Sequence, residues 1–134
     1  MPTRGGIVVE IKRQKPVVAA YHYDQPNAEQ NVETQLQVGF TPLNTDDQTY
    51  PKENSIIRCI LDFRLVFEEY VISGRVSQIN HVINRKIESQ VDVTEEEINE
   101  IVAPLFDIVK RMTYEVTEIA TDEPGLTLNF QTEA

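Results

Sequence analysis

Cysteine, histidine and positive charge are all scarce in this chain, and each scarcity removes a class of function. The single cysteine, Cys59, leaves no partner for an internal disulfide and fits a reducing compartment. The histidines, His22 and His81, have no second His or Cys at ligand spacing, so a zinc site has no support; each reads as a strand or surface residue. Lysine and arginine number 12 against 22 acidic residues, a net charge of −10. Such a chain repels phosphate backbones, which argues against general nucleic-acid binding. The small basic group Lys12, Arg13 and Lys15 reads as a solvated strand edge rather than an anion site. No apolar run approaches the ~20 residues that a membrane-spanning helix needs. The first residues lack the apolar stretch of a signal peptide, and no Asn-x-Ser/Thr sequon occurs. The expectation is a cytoplasmic protein with neither a membrane nor nucleic acid as partner.

Catalytic signatures are missing as well. Gly5 and Gly6 precede a strand instead of following one, so they do not form a phosphate-cradling loop. Ser73, Ser77 and Thr113 have no nucleophile-elbow context. The segment from Asn44 to Asn54 lacks the glycine and terminal glutamate of a calcium loop. The adjacent acids Asp46–Asp47, Glu68–Glu69 and Glu95–Glu97 sit in loops or at a helix start, where solvation and the helix dipole account for them. Cys59 lies on the apolar face of a strand and reads as a small buried hydrophobe. We therefore expect no enzyme, no cofactor and no metal.

The strongest pattern that is present runs from Ser55 to Phe67. Ile57, Cys59, Leu61, Phe63, Leu65 and Phe67 alternate with a period of two, the mark of a strand with one face on a core. The intervening positions are mixed: Ile56, Arg58, Ile60, Asp62, Arg64 and Val66. Surplus apolar residues on a second face are either covered or used for binding, so Ile56, Ile60 and Val66 form the candidate interaction surface. Ile7–Tyr23 also reads as extended, with Pro16 marking a bulge, a turn or an edge. Val32–Phe40 alternates well, and Thr41–Asn54, with Pro42 and Pro51, is the clearest loop. Tyr70–Ile83 has an ambiguous period; its β-branched content and Gly74 favour a strand over a helix.

Thr94 opens the strongest helix signal. Thr94–Glu97 has the spacing of a capping box, and an apolar stripe follows from Ile98 through Leu105 and Met112 to Ile119. Pro104 interrupts it. An interior proline costs ~3 kcal/mol, so the spacing predicts a short helix over Thr94–Ala103 and a longer one starting at Pro104, with a single kinked helix as the alternative. Asp122–Gly125 stops the helix, and Leu126, Leu128 and Phe130 alternate as a tail that docks on apolar surface. At 134 residues, with no repeat, a single domain over 1–134 is expected.

Strands followed by a short helix, a proline, a long helix and an apolar tail resemble the fold family of the bacterial protein-export chaperone SecB. Three segments carry the likeness: Glu68–Ile79, similar to the family's fourth strand with Val76 and Gln78 in place; Ala103–Phe106, similar to the proline that begins its long helix; and Pro124–Phe130, similar to its proline-rich segment ending in Asn-Phe. The chain looks more similar still to a small uncharacterised family of Gram-positive bacteria that shares this fold. The resemblance implies an α+β fold, a four-stranded antiparallel sheet with C-terminal helices packed on one face. It implies homodimers through the first strand and its neighbourhood, either as such or paired into a homotetramer, and an ATP-independent holdase or adaptor for unfolded polypeptide. Two features depart from the chaperone. Leu105–Asp107 stands where tyrosine-alanine-arginine follows its helix proline, and only Gln131–Ala134 follows Phe130 in place of its long tail. The alternative is an oligomeric scaffold or small-ligand-binding protein on the same fold.

Overall fold

The computed structural model describes residues 10–26, 33–89 and 92–129. Among these residues five strands and one helix follow in chain order: β1 (Ile11–Arg13), β2 (Val17–Asp24), β3 (Gln35–Leu43), β4 (Ser55–Val66), β5 (Val71–Val82) and α1 (Glu95–Thr121). All strand pairs are antiparallel. β1 and β2 both pair with β5, one beyond the other, and β5, β4 and β3 complete the sheet in that order. The expected count of four strands becomes five because the first is cut at Gln14–Pro16, where proline can donate no ladder hydrogen bond. The sheet still has four lanes, with the first strand lying beside the last. The result is an α+β fold with the helix on one face of the sheet.

The alternation in β4 sets the core. Ile57, Cys59, Leu61, Phe63 and Leu65 are buried, as are Ile72, Val76 and Val82 of β5. Against them pack Ile101, Val102, Leu105 and Val109 of α1. Each fully buried aliphatic side chain contributes ~1.5–3 kcal/mol, so this layer supplies most of the driving force. The ambiguous segment after Tyr70 is a strand: its β-branched residues alternate between the helix side and the outer side. Phe67 N–H bonds to the Tyr70 carbonyl at 2.9 Å, closing the β4–β5 turn around Glu68 and Glu69 without glycine or proline. β3 begins later than expected and runs through Pro42, which an edge strand tolerates. Val32 and Phe130 lie outside the described residues, as do Ile7 and Val9.

Pro104 does not divide the helix. α1 is continuous over 27 residues, so the predicted pair of helices is corrected to one. Proline at this position has no N–H for the Glu100 carbonyl, the partner it would meet in a regular helix. Arg13 takes over. Its Nη2 donates to the Glu100 carbonyl and its Nη1 to the Ile101 carbonyl, both at 2.9 Å. The end of β1 thus satisfies the Glu100 acceptor that the proline strands, and the "solvated" basic residue has a structural task.

The helix start matches its sequence signal. Thr94 Oγ1 accepts from the Glu97 N–H at 3.1 Å and Glu97 Oε1 accepts from the Thr94 N–H at 2.9 Å. Glu97 is buried and also pairs with Arg85, whose Nη2 donates to Oε1 at 2.7 Å. Arg85 holds the Glu97 carboxyl below the usual carboxylate range, and burial only partly offsets this. At the other end Asp122 adopts a left-handed conformation, φ 56°, and the chain turns back. The Leu126 N–H donates to Thr117 Oγ1 at 2.8 Å, and Leu128 is buried in the core.

Candidate functional site

The helix covers one face of the sheet; the even positions of β4 lie on the other. Strand pairing places this outer face in rows. Leu43, Ile56, His81 and Lys12 form the first row. Thr41, Arg58 and Ile79 form the second, and Gly39, Ile60, Ser77 and Val17 the third. Beyond these the face turns polar, with Asp62 opposite Arg75 and Arg64 opposite Ser73, before Val66 meets Val71 at the far end. Ile56 and Ile60 therefore belong to one patch, joined by Leu43, Ile79 and Val17. Val66 does not: two polar rows separate it from the others. Ile56, Ile60, Ile79 and Leu43 are half-buried, while Val17 is 55% exposed, so among the described residues nothing fully covers the patch.

Leu43, Ile79 and Val17 were not marked by the sequence reading. Alternation could assign them to a face, but only the register shows that they neighbour Ile56 and Ile60.

The charged residues of this face differ in their partners. Arg75 makes a two-pronged contact with Asp62, Nε to Oδ1 at 2.6 Å and Nη2 to Oδ2 at 3.1 Å. Arg64 Nε donates to the Glu33 carbonyl at 3.0 Å. Arg58 is exposed, and its side chain has no hydrogen bond or ion pair among the described residues.

At the end of the patch lies a cleft of about 780 Å³ between the β3–β4 loop and residues 86–88. Leu43, Tyr50, Ile56 and Ile87 supply its apolar walls; Asp46, Lys52, Lys86 and Glu88 give it charges of both signs. The loop is internally braced: Asp47 Oδ1 accepts from the Thr49 N–H at 2.9 Å and from its hydroxyl at 2.6 Å, which lowers the Asp47 pKa. His81 ties the loop to the sheet, with Nδ1 at 3.1 Å from the Tyr50 hydroxyl and Nε2 at 3.1 Å from Gln14 Nε2. His22 is exposed on β2, distant in sequence register from His81.

On the inner side the thiol of Cys59 is buried. Burial pushes the Cys59 thiol up to about 11, only partly countered by Asn80, whose Nδ2 lies 3.7 Å from Sγ. A thiol with that pKa is almost wholly protonated at neutral pH and is a poor nucleophile. Among the described residues no group of three or more His, Cys, Asp or Glu could hold a metal ion, and no helix is long and apolar enough to cross a membrane.

Comparison with known proteins adds a family and a fold. The model of a family of proteins of unknown function, DUF1149, matches residues 9–130. The chain belongs to this family. A solved structure of a protein of unknown function from Streptococcus agalactiae is 39% identical, covering 92% of this chain and 100% of that one, with a TM-score of 0.84. A SecB-like chaperone from Mycobacterium tuberculosis, solved in complex with a ChAD peptide from the HigA1 antitoxin, superimposes with a TM-score of 0.52 at 11% identity, covering 90% of this chain and 89% of that one. No curated protein sequence matches the chain. The DUF1149 chain thus has a SecB-like fold, as the resemblance in its strands, helix proline and tail implied; the likeness to the chaperone at this identity is one of architecture.

Proposed function

We propose that this protein binds extended or unfolded polypeptide without ATP, as a holdase or an adaptor, and that it works as a cytoplasmic homo-oligomer rather than as an enzyme. The observation that carries this reading is the outer sheet face. A helix already seals the core on one side, yet Ile56, Ile60, Ile79, Leu43 and Val17 keep partly exposed aliphatic surface together on the other. Clustered surface of that kind marks interaction sites more often than isolated apolar residues do. The SecB-like architecture supports the reading, since a chaperone of this fold was solved with a peptide bound.

The test is suppression of aggregation of a reduced model substrate at stoichiometric protein, together with direct binding of an unfolded chain. Suppression that falls when Ile60 is replaced by Asp is the expected result. A protein that neither suppresses aggregation nor binds peptide does not have this function.

A second reading, a small-ligand protein, rests on the cleft at Pro42–Ile56 and Lys86–Glu88, whose volume lies in the range of small-molecule sites. Ligand-induced thermal stabilisation in a metabolite screen, lost on Lys86→Ala, distinguishes it from the first.

A further inference from the structure

Arg58 gives the outer face a chemical preference. Its neighbours along β4 are Ile56 and Ile60 on the same face, and its cross-strand neighbours are Thr41 and Ile79. It is therefore an exposed guanidinium in the middle of an aliphatic patch. The other arginines of the face are engaged, Arg75 with Asp62 and Arg64 with the Glu33 carbonyl. Arg58 has no such partner among the described residues. A guanidinium flanked by aliphatic groups offers a carboxylate two parallel donors in surroundings that exclude part of the water, which strengthens the contact relative to one in open solvent. In a chain of net charge −10 this is a local reversal of sign. Beyond about a Debye length (~8 Å at physiological salt) the chain's other charges are screened, so the local cation decides.

We propose that the Leu43–Ile56–Ile60–Ile79 patch docks a polypeptide segment in which an acidic residue lies between apolar ones, its carboxylate paired with Arg58 and its apolar side chains on the isoleucines. The proposal rests on the polypeptide-binding reading above and names the partner's chemistry. Strand geometry supports the fit: an extended segment presents every second side chain to one surface, and Ile56, Arg58 and Ile60 stand at that same spacing along β4.

Three fluorescein-labelled peptides with a central Glu, Gln or Lys between Leu and Phe residues provide the test, with fluorescence anisotropy on the full chain. The Glu peptide should bind about tenfold more tightly than the Lys peptide, equivalent to ~1.4 kcal/mol. Arg58→Glu, at an exposed position that spares the core, should reverse that order while leaving the thermal transition in place; Ile60→Asp should weaken all three. Equal affinity for the three peptides, or an Arg58→Glu protein that ranks them as the original does, overturns the Arg58 proposal while polypeptide binding stands. Absence of binding to any of the three peptides, together with no suppression of aggregation, removes both. Two further results also overturn it: competition by a single-stranded RNA oligonucleotide at lower concentration than the Glu peptide, which assigns the patch to nucleic acid, and a fall in solution mass on Arg58→Glu, which assigns it to a second copy of this chain.

Discussion

At the scale of single residues, the two most consequential side chains are arginines that serve other groups. Arg13 reaches from the first short strand to the carbonyls of Glu100 and Ile101. Replacing it by Met keeps the apolar stem and removes the donors. The cost should be ~1.5–3 kcal/mol in urea unfolding, the range for a hydrogen bond to a charged group. In a Pro104→Ala background the Glu100 carbonyl regains a helical N–H, so the same Arg13→Met change should cost clearly less; equal costs in both backgrounds would dismiss the coupling. Arg85 acts on Glu97, whose carboxyl is depressed chiefly by that guanidinium. A carboxyl with a lowered folded pKa contributes stability that is fully present above its unfolded value and is lost as pH falls through the folded value. Stability should therefore decline on acidification below the ordinary carboxylate range. Glutamine can still close the capping box, so Glu97→Gln removes chiefly the charge-assisted pairing with Arg85; it should lower stability at neutral pH by about 1–2 kcal/mol and flatten that acid limb. Thermal melts of both proteins across acid and neutral pH check the sign.

At the scale of elements, close approach matters as much as hydrogen bonding. Gly74 of β5 sits where a Cβ would run into the Ala20 carbonyl oxygen and come within 2.8 Å of Phe63 Cζ. The register of β2 shifts between Val18 and Ala20, beside the carbonyl that approaches the glycine. Gly74→Ala should cost ~1–3 kcal/mol, as overpacking does, and raise amide exchange in β2 more than in β4; uniform exchange would contradict it. This element also shows what the sequence could and could not reveal. Glycine there weakened a helical reading of Tyr70–Ile83 and so pointed correctly to a strand. Its packing role depends on the close approach of the β2 backbone at Ala20, which no local pattern encodes. The same distinction holds for the helix. The Thr94–Glu97 cap is local and was legible. The continuity of α1 past Pro104 depends on Arg13, distant in sequence, and was not. Likewise Ile56 and Ile60 were legible as a second apolar face, but Val66 was grouped with them because sequence spacing does not show the Asp62–Arg75 and Arg64 rows that lie between.

At the scale of the whole molecule, sheet and helix share one core, and Cys59 sits fully buried at its centre. Its thiol is therefore a reporter of opening. Labelling by a thiol reagent should be slow in native conditions and follow the global unfolding free energy as urea is raised; rapid labelling without urea would show local opening between α1 and the sheet instead. The element order of the SecB-like fold was readable because it depends on punctuation: prolines, turns and a cap. The identity of the partner was not, because it depends on which residues the register assembles. The order of the elements has a further consequence during synthesis. The helix that seals the inner face is the last element made, so Ile57, Leu61, Phe63 and Leu65 emerge from the ribosome before any of their cover exists. At roughly 5–20 residues per second the nascent sheet waits several seconds with its most apolar side bare. A protein proposed to shelter other unfolded chains is itself, for that interval, a chain in need of shelter.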